Sequence, residues 1–443
     1  MNALFTRILF FCVLLFSIGA SASPDIQTWE TDNGVKVYFV EAHEIPMVDI
    51  QIVFDAGSSR DGEKSGLAIL TNSLLNEGAA GMNVDEISQN FENLGAIYGN
   101  DTGYDSSSVN LRSLVEPKIL NLALENLKRV IQQPDFPADA LERLRNQLLI
   151  GIRSKQQSPG SLAKDAFFKS VYGKHPYAEP TEGTEQSVKQ ITRNDVVAFH
   201  KKYYVAANAM VAMVGDLGRQ QAEKLVNKLT RDLPVGEAAS KLPVVTSLTE
   251  AKNITIDHPS SQTHVLVGQP GVMRNDPDYF ALYVGNHVLG GGGMVSRLFS
   301  EIREQRGLSY SAYSYFSPMK ELGPFAAGLQ TKNDQSQQAL NVLKDQIEEF
   351  IKNGPTEQEL EASKKNITGG YALRIDSNRE ILGYLAVIGF YGLPLDYLET
   401  FNSKVEQVTI DDIKDAFKRR LSPDKFVTVT VGPITSDSET KNN

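Results

Sequence analysis

Short alternating segments and longer helix-like segments follow one another along the first half of the chain. Apolar and polar residues alternate over residues 26–56, which predicts two antiparallel strands. Apolar residues then recur with a helical period over 63–78 and 84–94, and strands are predicted again near 95–113. The remaining predicted elements of this half are helices over residues 116–132, 138–156, 160–171 and 193–203, and a closing strand over 209–215.

The second half repeats this order of elements. Its predicted strands lie near residues 252–258, 263–268, 309–318, 324–330 and 426–432, and its helices near 276–289, 295–304 and over much of 334–420. Landmarks of the two halves are evenly offset. Thr192 and Thr409 both look like helix N-caps and lie 217 residues apart, as do the closing glycines, Gly215 and Gly432. This even offset indicates that the chain is a tandem duplication of one structural unit.

This duplication predicts an α+β fold with two homologous domains, each an antiparallel sheet packed with helices. The first domain would cover residues 23–232 and the second residues 251–435. A linker is expected over residues 233–250, which show no clear period. The polar residues 436–443 are expected to form a disordered tail.

The first 22 residues have the pattern of a secretory signal peptide. Arg7 precedes an apolar run over residues 8–18, and Ala20 and Ala22 form an A-x-A step. An uncleaved membrane anchor is the alternative, although the run is shorter than the roughly 20 residues of a spanning helix. Cys12, the one cysteine, lies in this segment, so a mature chain would have no thiol for catalysis or metal binding. We expect export, to the periplasm in a Gram-negative source, with no membrane span after cleavage.

Composition excludes several classes of protein. The 443 residues are 41% hydrophobic and 22% charged, which is ordinary globular usage and unlike disordered, collagenous or polytopic membrane chains. The net charge of −10 offers no basic surface, so no nucleic-acid partner is expected.

A glycine-bounded segment, Gly66–Gly78, carries the informative pattern of the first half. It resembles the opening helix of the pitrilysin and insulinase-like zinc metallopeptidases, the inverzincins, in their mitochondrial processing peptidase-like branch. In that family the helix reads G-L-A-H-x-x-E-H, in which the two His bind zinc and the Glu acts as general base. The resemblance places Ile69 and Ser73 at the His positions and Asn72 at the Glu position. The family's third ligand, a Glu on a later helix, falls on Ile150. Because these four residues cannot form a zinc ligand set, no cofactor is expected in this chain.

The sequence indicates no replacement for this metal site. A shift of one residue would place Leu149 or Gly151 at the third position, and neither could bind zinc. No two of the six histidines stand three or four residues apart, and the nearest pair, His258 and His264, is separated by a turn. A self-sufficient enzyme with an undetected metal site stays an alternative.

The segment from Leu289 to Tyr310 contains the most family-specific string of the chain. It reads LGGGGMVSRLFSEIREQRGLSY and is similar to the family's G-G-G-x-x-S-R-L-F-x-x-I-R-E-x-R-G-L-x-Y. Family members use an Arg and a Tyr seven residues apart to hold the substrate near the zinc, and Arg303 and Tyr310 match both positions. Guanidinium and phenol groups can donate hydrogen bonds to a developing oxyanion. The alternatives are a helical salt bridge for Arg303 and a core-covering strand position for Tyr310.

Four consecutive glycines begin this string. Because glycine is costly inside a helix, Gly290, Gly291, Gly292 and Gly293 predict a loop before a helix. The resemblance implies a modest role for this loop in admitting substrate, as in the family's noncatalytic subunit.

Two other features of the family are less distinct. Arg297 and Arg306 are expected to pair with carboxylates across the helix. The segment 95–102 stands where catalytic members have a substrate-binding edge strand, but the family's usual Asn position falls on Gly99, beside Asn100. Capture of a strand at this edge would tolerate many sequences, because main-chain hydrogen bonds supply it.

The resemblance covers residues 26–435 and implies the noncatalytic, substrate-binding subunit of a heteromeric zinc metalloendopeptidase. A catalytic homologue with a complete H-x-x-E-H helix would supply zinc and the general base in a heterodimer. This chain would supply Arg303 and Tyr310 across a clam-like chamber that takes small or unfolded polypeptides. The main alternative is a pseudoenzyme scaffold or peptide-binding protein with no role in hydrolysis.

Overall fold

A computed structural model describes residues 24–434 of the chain. The predicted signal peptide over residues 1–22 and the predicted tail over 436–443 lie outside the described residues.

The first half is built on a six-stranded sheet. Its strands are β1 (Gln27–Glu30), β2 (Lys36–Glu41), β3 (Met47–Phe54), β6 (Ile97–Thr102), β7 (Ser107–Leu114) and β8 (Ala209–Gly215). They are arranged in the order β1-β2-β8-β3-β7-β6, and a small hairpin of β4 (Gly78–Ala79) and β5 (Met82–Asn83) lies apart. The strand β6 therefore forms one edge of the sheet.

The second half is built on a five-stranded sheet. Its strands are β9 (Lys252–Asp257), β10 (Gln262–Val272), β11 (Ser309–Phe316), β12 (Gly323–Lys332) and β13 (Val427–Gly432). Their order is β11-β12-β10-β13-β9, which places β11 at one edge.

The predicted fold class is confirmed, with one correction to the sheets. Both were expected to be antiparallel, but β2 pairs with β8, and β9 pairs with β13, in parallel. The closing strand of each half returns after a run of helices, and such a crossover permits parallel pairing. The alternation of apolar and polar residues is the same in both arrangements, so it could not distinguish them.

Helices occupy most of the predicted positions. In the first half they are α1 (Leu67–Ser73), α2 (Val84–Glu92), α3 (Pro117–Gln132), α4 (Ala138–Lys155), α5 (Pro159–Tyr172), α6 (Glu185–Gln190), α7 (Arg193–Tyr203) and α8 (Arg219–Thr230). In the second half they are α9 (Tyr279–Asn286), the short α10 (Arg297–Phe299), α11 (Ser336–Asn353), α12 (Glu357–Gly369), α13 (Asn378–Tyr391), α14 (Tyr397–Gln407) and α15 (Ile410–Arg420). Thr192 and Thr409 are N-caps with complete capping boxes, as predicted.

One helix from each half packs on the sheet of the other half. Helix α13 packs on β2, β3 and β8, and its Leu385 and Ile388 share one buried cluster with Met210 and Val214. Helix α5 packs on β10 and β13, where Phe167 belongs to the cluster that covers the second sheet. The apolar faces of both sheets are thus covered by residues distant in sequence.

The helices of residues 24–434 were also compared with the length and polarity that a bilayer requires. None of them is both long enough and apolar enough to cross a membrane.

Candidate functional site

The helix that resembles the metal-binding helix is short and locked to the sheet. Ile69 and Ser73 are half-buried on one face of α1, four residues apart, whereas Asn72 is buried. The Asn72 amide nitrogen donates to the Ser108 carbonyl at 3.3 Å and to the Tyr204 hydroxyl at 3.0 Å. Asn72 therefore serves as a structural link at the position where the family has its general base.

A buried carboxylate at the start of α1 was missed by the sequence reasoning. Asp61 accepts hydrogen bonds from the backbone N–H groups of Gly66 and Ala68, both at 2.7 Å. Burial raises the pKa of Asp61 to about 8, although these backbone bonds lower it. The acidic loop before Gly66 was the only feature of the sequence that could have indicated this buried carboxylate. Gly66 has a φ of +95°, which favours glycine, and α1 begins directly after it, at Leu67, instead of at residue 63.

The residue that the resemblance places at the family's third ligand position is exposed to solvent. Ile150 lies on α4 with 65% of its surface exposed, and its neighbour Leu149 is buried in the core of the first half. Throughout residues 24–434, no three His, Cys, Asp or Glu side chains are grouped so that they could hold a metal ion. The residues at positions 69, 72, 73 and 150 thus do not fit zinc.

Arg303 lies in the turn before the edge strand β11, and Tyr310 lies in that strand; both are exposed. Arg303 lies in a π-helical turn, Ser300–Glu304, and its guanidinium lies 4.7 Å from the centre of the Phe299 ring. Tyr310 lies at the start of the edge strand β11 and is 83% exposed. Tyr310 therefore does not cover the core, and Arg303 forms no ion pair within the part of the chain that the structure describes. Both structural alternatives are wrong.

The two neighbouring arginines are held by carboxylates. Arg306 pairs within its own helical segment, as expected, whereas the partner of Arg297 lies on another helix, α12, and not across its own helix. Arg297 pairs with Glu359 and Arg306 with Glu301, each at 2.6 Å. In this string, Arg303 is the arginine that remains exposed without an ion pair among the described residues.

The four glycines are only partly a loop. Gly290 and Gly291 lie in a π-helical turn, His287–Gly291, and a short 3-10 turn follows from Gly293 to Val295. A Cβ at Gly290 would overlap the Ser314 backbone, and one at Gly291 would lie 2.6 Å from the Asn286 side chain. The expected loop is corrected here: close packing explains the first two glycines. A Cβ at Gly292 would also clash, because it would lie 2.6 Å from the His287 carbonyl oxygen. A Cβ at Gly293 would meet nothing within 4 Å, and this residue has a φ of +62°.

The edge strand of the first sheet, β6, pairs with a neighbouring strand on one side only among the described residues. Strand β6 pairs with β7, and its first residue, Ile97, is 61% exposed. Asn100 does not project to solvent, because its amide donates to the Asn72 carbonyl at 2.8 Å. This contact ties the edge strand to α1.

Comparison with known proteins agrees with this geometry. The family profile described as "Insulinase (Peptidase family M16)" matches residues 36–185, and the one described as "Peptidase M16 inactive domain" matches residues 190–367. A crystal structure from Pseudomonas fluorescens, described as a peptidase M16 inactive domain, is 44% identical, with a TM-score of 0.90 over 93% of this chain and 98% of that one. The chain belongs to peptidase family M16. The resemblance to insulinase-like peptidases is thereby confirmed.

Two proteins from Helicobacter pylori also match this chain along most of their length. A curated relative named "Non-peptidase homolog YmxG" is 29% identical over 414 residues, 92% of this chain and 95% of that protein. A crystal structure described as a protease from the same species has a TM-score of 0.84 at 20% identity, over 93% of this chain and all of that one, and so supports the fold alone. With the residues found at positions 69, 72, 73 and 150, these findings support a noncatalytic member of family M16.

Proposed function

We propose that this M16 member is the noncatalytic, substrate-binding subunit of a heteromeric zinc metalloendopeptidase. The observation that carries the proposal is the contrast between the two halves. The first half has no ligand set at its former metal site, whereas the second half keeps Arg303 and Tyr310 exposed and directed away from its core.

The chemistry of the pair suits a site completed by another chain. A tetrahedral intermediate on a peptide carbonyl carries an oxyanion, and the Arg303 guanidinium and the Tyr310 hydroxyl can both donate hydrogen bonds to it. Neither group can activate water by itself at neutral pH. The zinc ion and the general base would therefore belong to a catalytic partner with an intact H-x-x-E-H helix.

The substrate class follows from the free strand edges. Strand β6 and strand β11 each have one neighbour in the described sheets, so a peptide in extended form could add as a further strand. Main-chain pairing of this kind needs an unfolded segment and has little sequence specificity. Small or unfolded polypeptides are thus the proposed substrates.

Co-purification and reconstitution test the proposal. The tagged chain is isolated from its native source, and an M16 homologue with the H-x-x-E-H motif is expected to accompany it with one zinc per heterodimer. In the reconstituted complex, Arg303→Ala and Tyr310→Phe should each lower kcat for an unfolded polypeptide by about 100- to 1000-fold, the range for loss of an oxyanion donor. Arg306→Ala and Tyr313→Phe, close in sequence, are the matched controls.

Other outcomes would favour the alternatives. Full activity of the Arg303 and Tyr310 variants would support a scaffold or peptide-binding role without a part in hydrolysis. Stoichiometric zinc and chelator-sensitive cleavage by the isolated chain would instead show a self-sufficient enzyme and overturn the proposal.

We also propose that the protein is exported and acts in the periplasm. The support is the basic start, the apolar run and the A-x-A step in residues 1–22. N-terminal sequencing of the protein from a periplasmic extract should begin at Ser23, and an intact Met1 would contradict cleavage.

A further inference from the structure

The second half contains a cleft that neither the proposed active site nor the strand edges use. It has a volume of about 540 Å³ and lies where the loop after β10 meets α9, α14 and α15. A volume of this size is typical of sites for small ligands. Its wall has an apolar side formed by residues such as Phe280, Leu393 and Val408.

The acidic side chains of this cleft are already paired. Asp278 accepts hydrogen bonds from Arg419 and Arg420 at 2.8 Å, and Asp276 accepts one from Arg420 at 2.7 Å. Asp415 also binds Arg419, at 2.8 Å. The remaining acid, Asp412, is the N3 residue of the α15 capping box and accepts from the Thr409 hydroxyl at 2.7 Å. These carboxylates therefore have no need of a cationic ligand.

Two cations of the cleft are not paired in this way. Among residues 24–434, neither Arg274 nor Lys404 has a carboxylate within 4 Å, and the buried Nε of Arg274 has no hydrogen-bond partner. Both contact aromatic faces instead: Arg274 lies 5.3 Å from the centre of the Tyr391 ring, and Lys404 lies 5.7 Å from that of Phe280. A buried donor without a protein partner needs an acceptor from outside the chain, either a water molecule or a ligand.

We propose that this cleft binds an organic carboxylate with an apolar body. Arg274 and Lys404 hold the carboxylate, since a guanidinium matches its two oxygens, and Phe280, Leu393 and Val408 cover the apolar part. The C-terminal residue of a peptide and a free arylalkanoate share this chemistry. The site stands on residues 274–419 alone, so it does not depend on a catalytic partner or on Arg303 and Tyr310.

Titration calorimetry on the purified full chain tests this proposal with three probes: the peptide Gly-Gly-Gly-Phe, its C-terminal amide, and 3-phenylpropionate. The free-acid peptide or 3-phenylpropionate should bind measurably at low salt, and the amide should bind at least about 10-fold more weakly, because it lacks the charge that Arg274 and Lys404 attract. Tighter binding of the peptide than of 3-phenylpropionate would identify a peptide terminus as the ligand. Equal or tighter binding of 3-phenylpropionate would identify a small carboxylate.

Variants separate this site from a nonspecific one. Arg274→Gln and Lys404→Gln should each weaken binding of the free acid by about 10-fold or more, whereas Arg274→Lys should retain part of the affinity. Arg231→Gln, an exposed position in the first half, is the matched control and should bind like the original chain. Equal binding of acid and amide, no binding of either acid at 5 mM (about 3 kcal/mol of affinity), or unchanged binding by a correctly folded Arg274→Gln would overturn the proposal.

Discussion

Asn72 has a structural role at the position where the resemblance places the family's general base. Its side-chain amide donates to the Ser108 carbonyl and to the Tyr204 hydroxyl, and its backbone carbonyl accepts a hydrogen bond from the Asn100 amide. The side chain is almost completely buried, with 2% exposed. A carboxylate in this place would face the Ser108 carbonyl without a cation, which is costly.

A single substitution tests this role of Asn72. We expect Asn72→Asp to lower the free energy of unfolding by about 3 kcal/mol at pH 7, and more than Asn72→Ala does, because it buries an unpaired charge in addition to losing the donors. Urea unfolding followed by circular dichroism gives the measurement. Ser73→Ala, on the half-buried face of the same helix, is the control and should change stability little. Equal stability of the Asp variant and the original chain would contradict this account.

We expect His200 to make the first half sensitive to acid. Its Nε2 lies 2.8 Å from the Ile131 carbonyl, and its ring stacks on Tyr204 at 4.9 Å. Burial lowers the pKa of His200 to about 4, below the ordinary value of about 6.5. The unfolded chain therefore takes up this proton first as the pH falls, so the stability present above pH 6.5 is lost progressively down to about pH 4.

The acid sensitivity of the chain can be assigned to His200 by substitution. The lowered pKa of His200 corresponds to about 3 kcal/mol of stability. His200→Gln keeps a donor for the Ile131 carbonyl but cannot titrate. This variant should therefore lose less stability between pH 7 and pH 4.5 than the original chain does. Urea unfolding at the two pH values measures the difference. His43→Gln is the control, because His43 is exposed and its pKa is raised by Asp216. An identical loss in His200→Gln and the original chain would refute the assignment.

At the scale of elements, the sequence predicted most helices and strands and two helix N-caps, but not the direction of strand pairing or the π-helical turns. The N-caps at Thr192 and Thr409 were visible because a hydroxyl followed by Asp three residues later is a local signal. The parallel pairs in both sheets were not visible, because pairing direction depends on the path of the chain between strands. The π-helical turns around Gly290 and Arg303 depend in the same way on contacts with β11.

Helix α13 offers a test of how closely the two halves are packed. A Cβ at Gly389 would lie 2.6 Å from the Tyr38 ring, in the first sheet, whereas one at Gly383 would meet nothing within 4 Å. Alanine favours a helix over glycine by about 1 kcal/mol. Gly383→Ala should therefore stabilise the protein by up to about 1 kcal/mol, and Gly389→Ala should destabilise it by about 1–2 kcal/mol through overpacking. Thermal unfolding of both variants measures these changes in stability. Stabilisation by Gly389→Ala would show that α13 packs less tightly on the first sheet than the structure indicates.

At the scale of the whole molecule, the two halves depend on each other for their cores. Besides the exchanged helices α5 and α13, a buried carboxylate joins them: Asp105 of the first half accepts hydrogen bonds from Tyr391 and from the Lys320 backbone of the second, at 2.9 and 2.8 Å. The sequence showed the duplication but not this exchange, since helix amphipathicity does not say which sheet a helix covers.

This exchange predicts that neither half folds alone. Residues 24–232 without α13 would expose the apolar face around Met210 and Val214, and residues 251–434 without α5 would expose the face around Val427. We expect each separate half to aggregate or to lack near-ultraviolet circular dichroism, and the two halves to associate into a native-like complex when they are produced together. Size-exclusion chromatography and hydrogen exchange provide the measurements. A monomeric first half with a cooperative unfolding transition of its own would show that α13 is an accessory cover and that the two sheets fold independently.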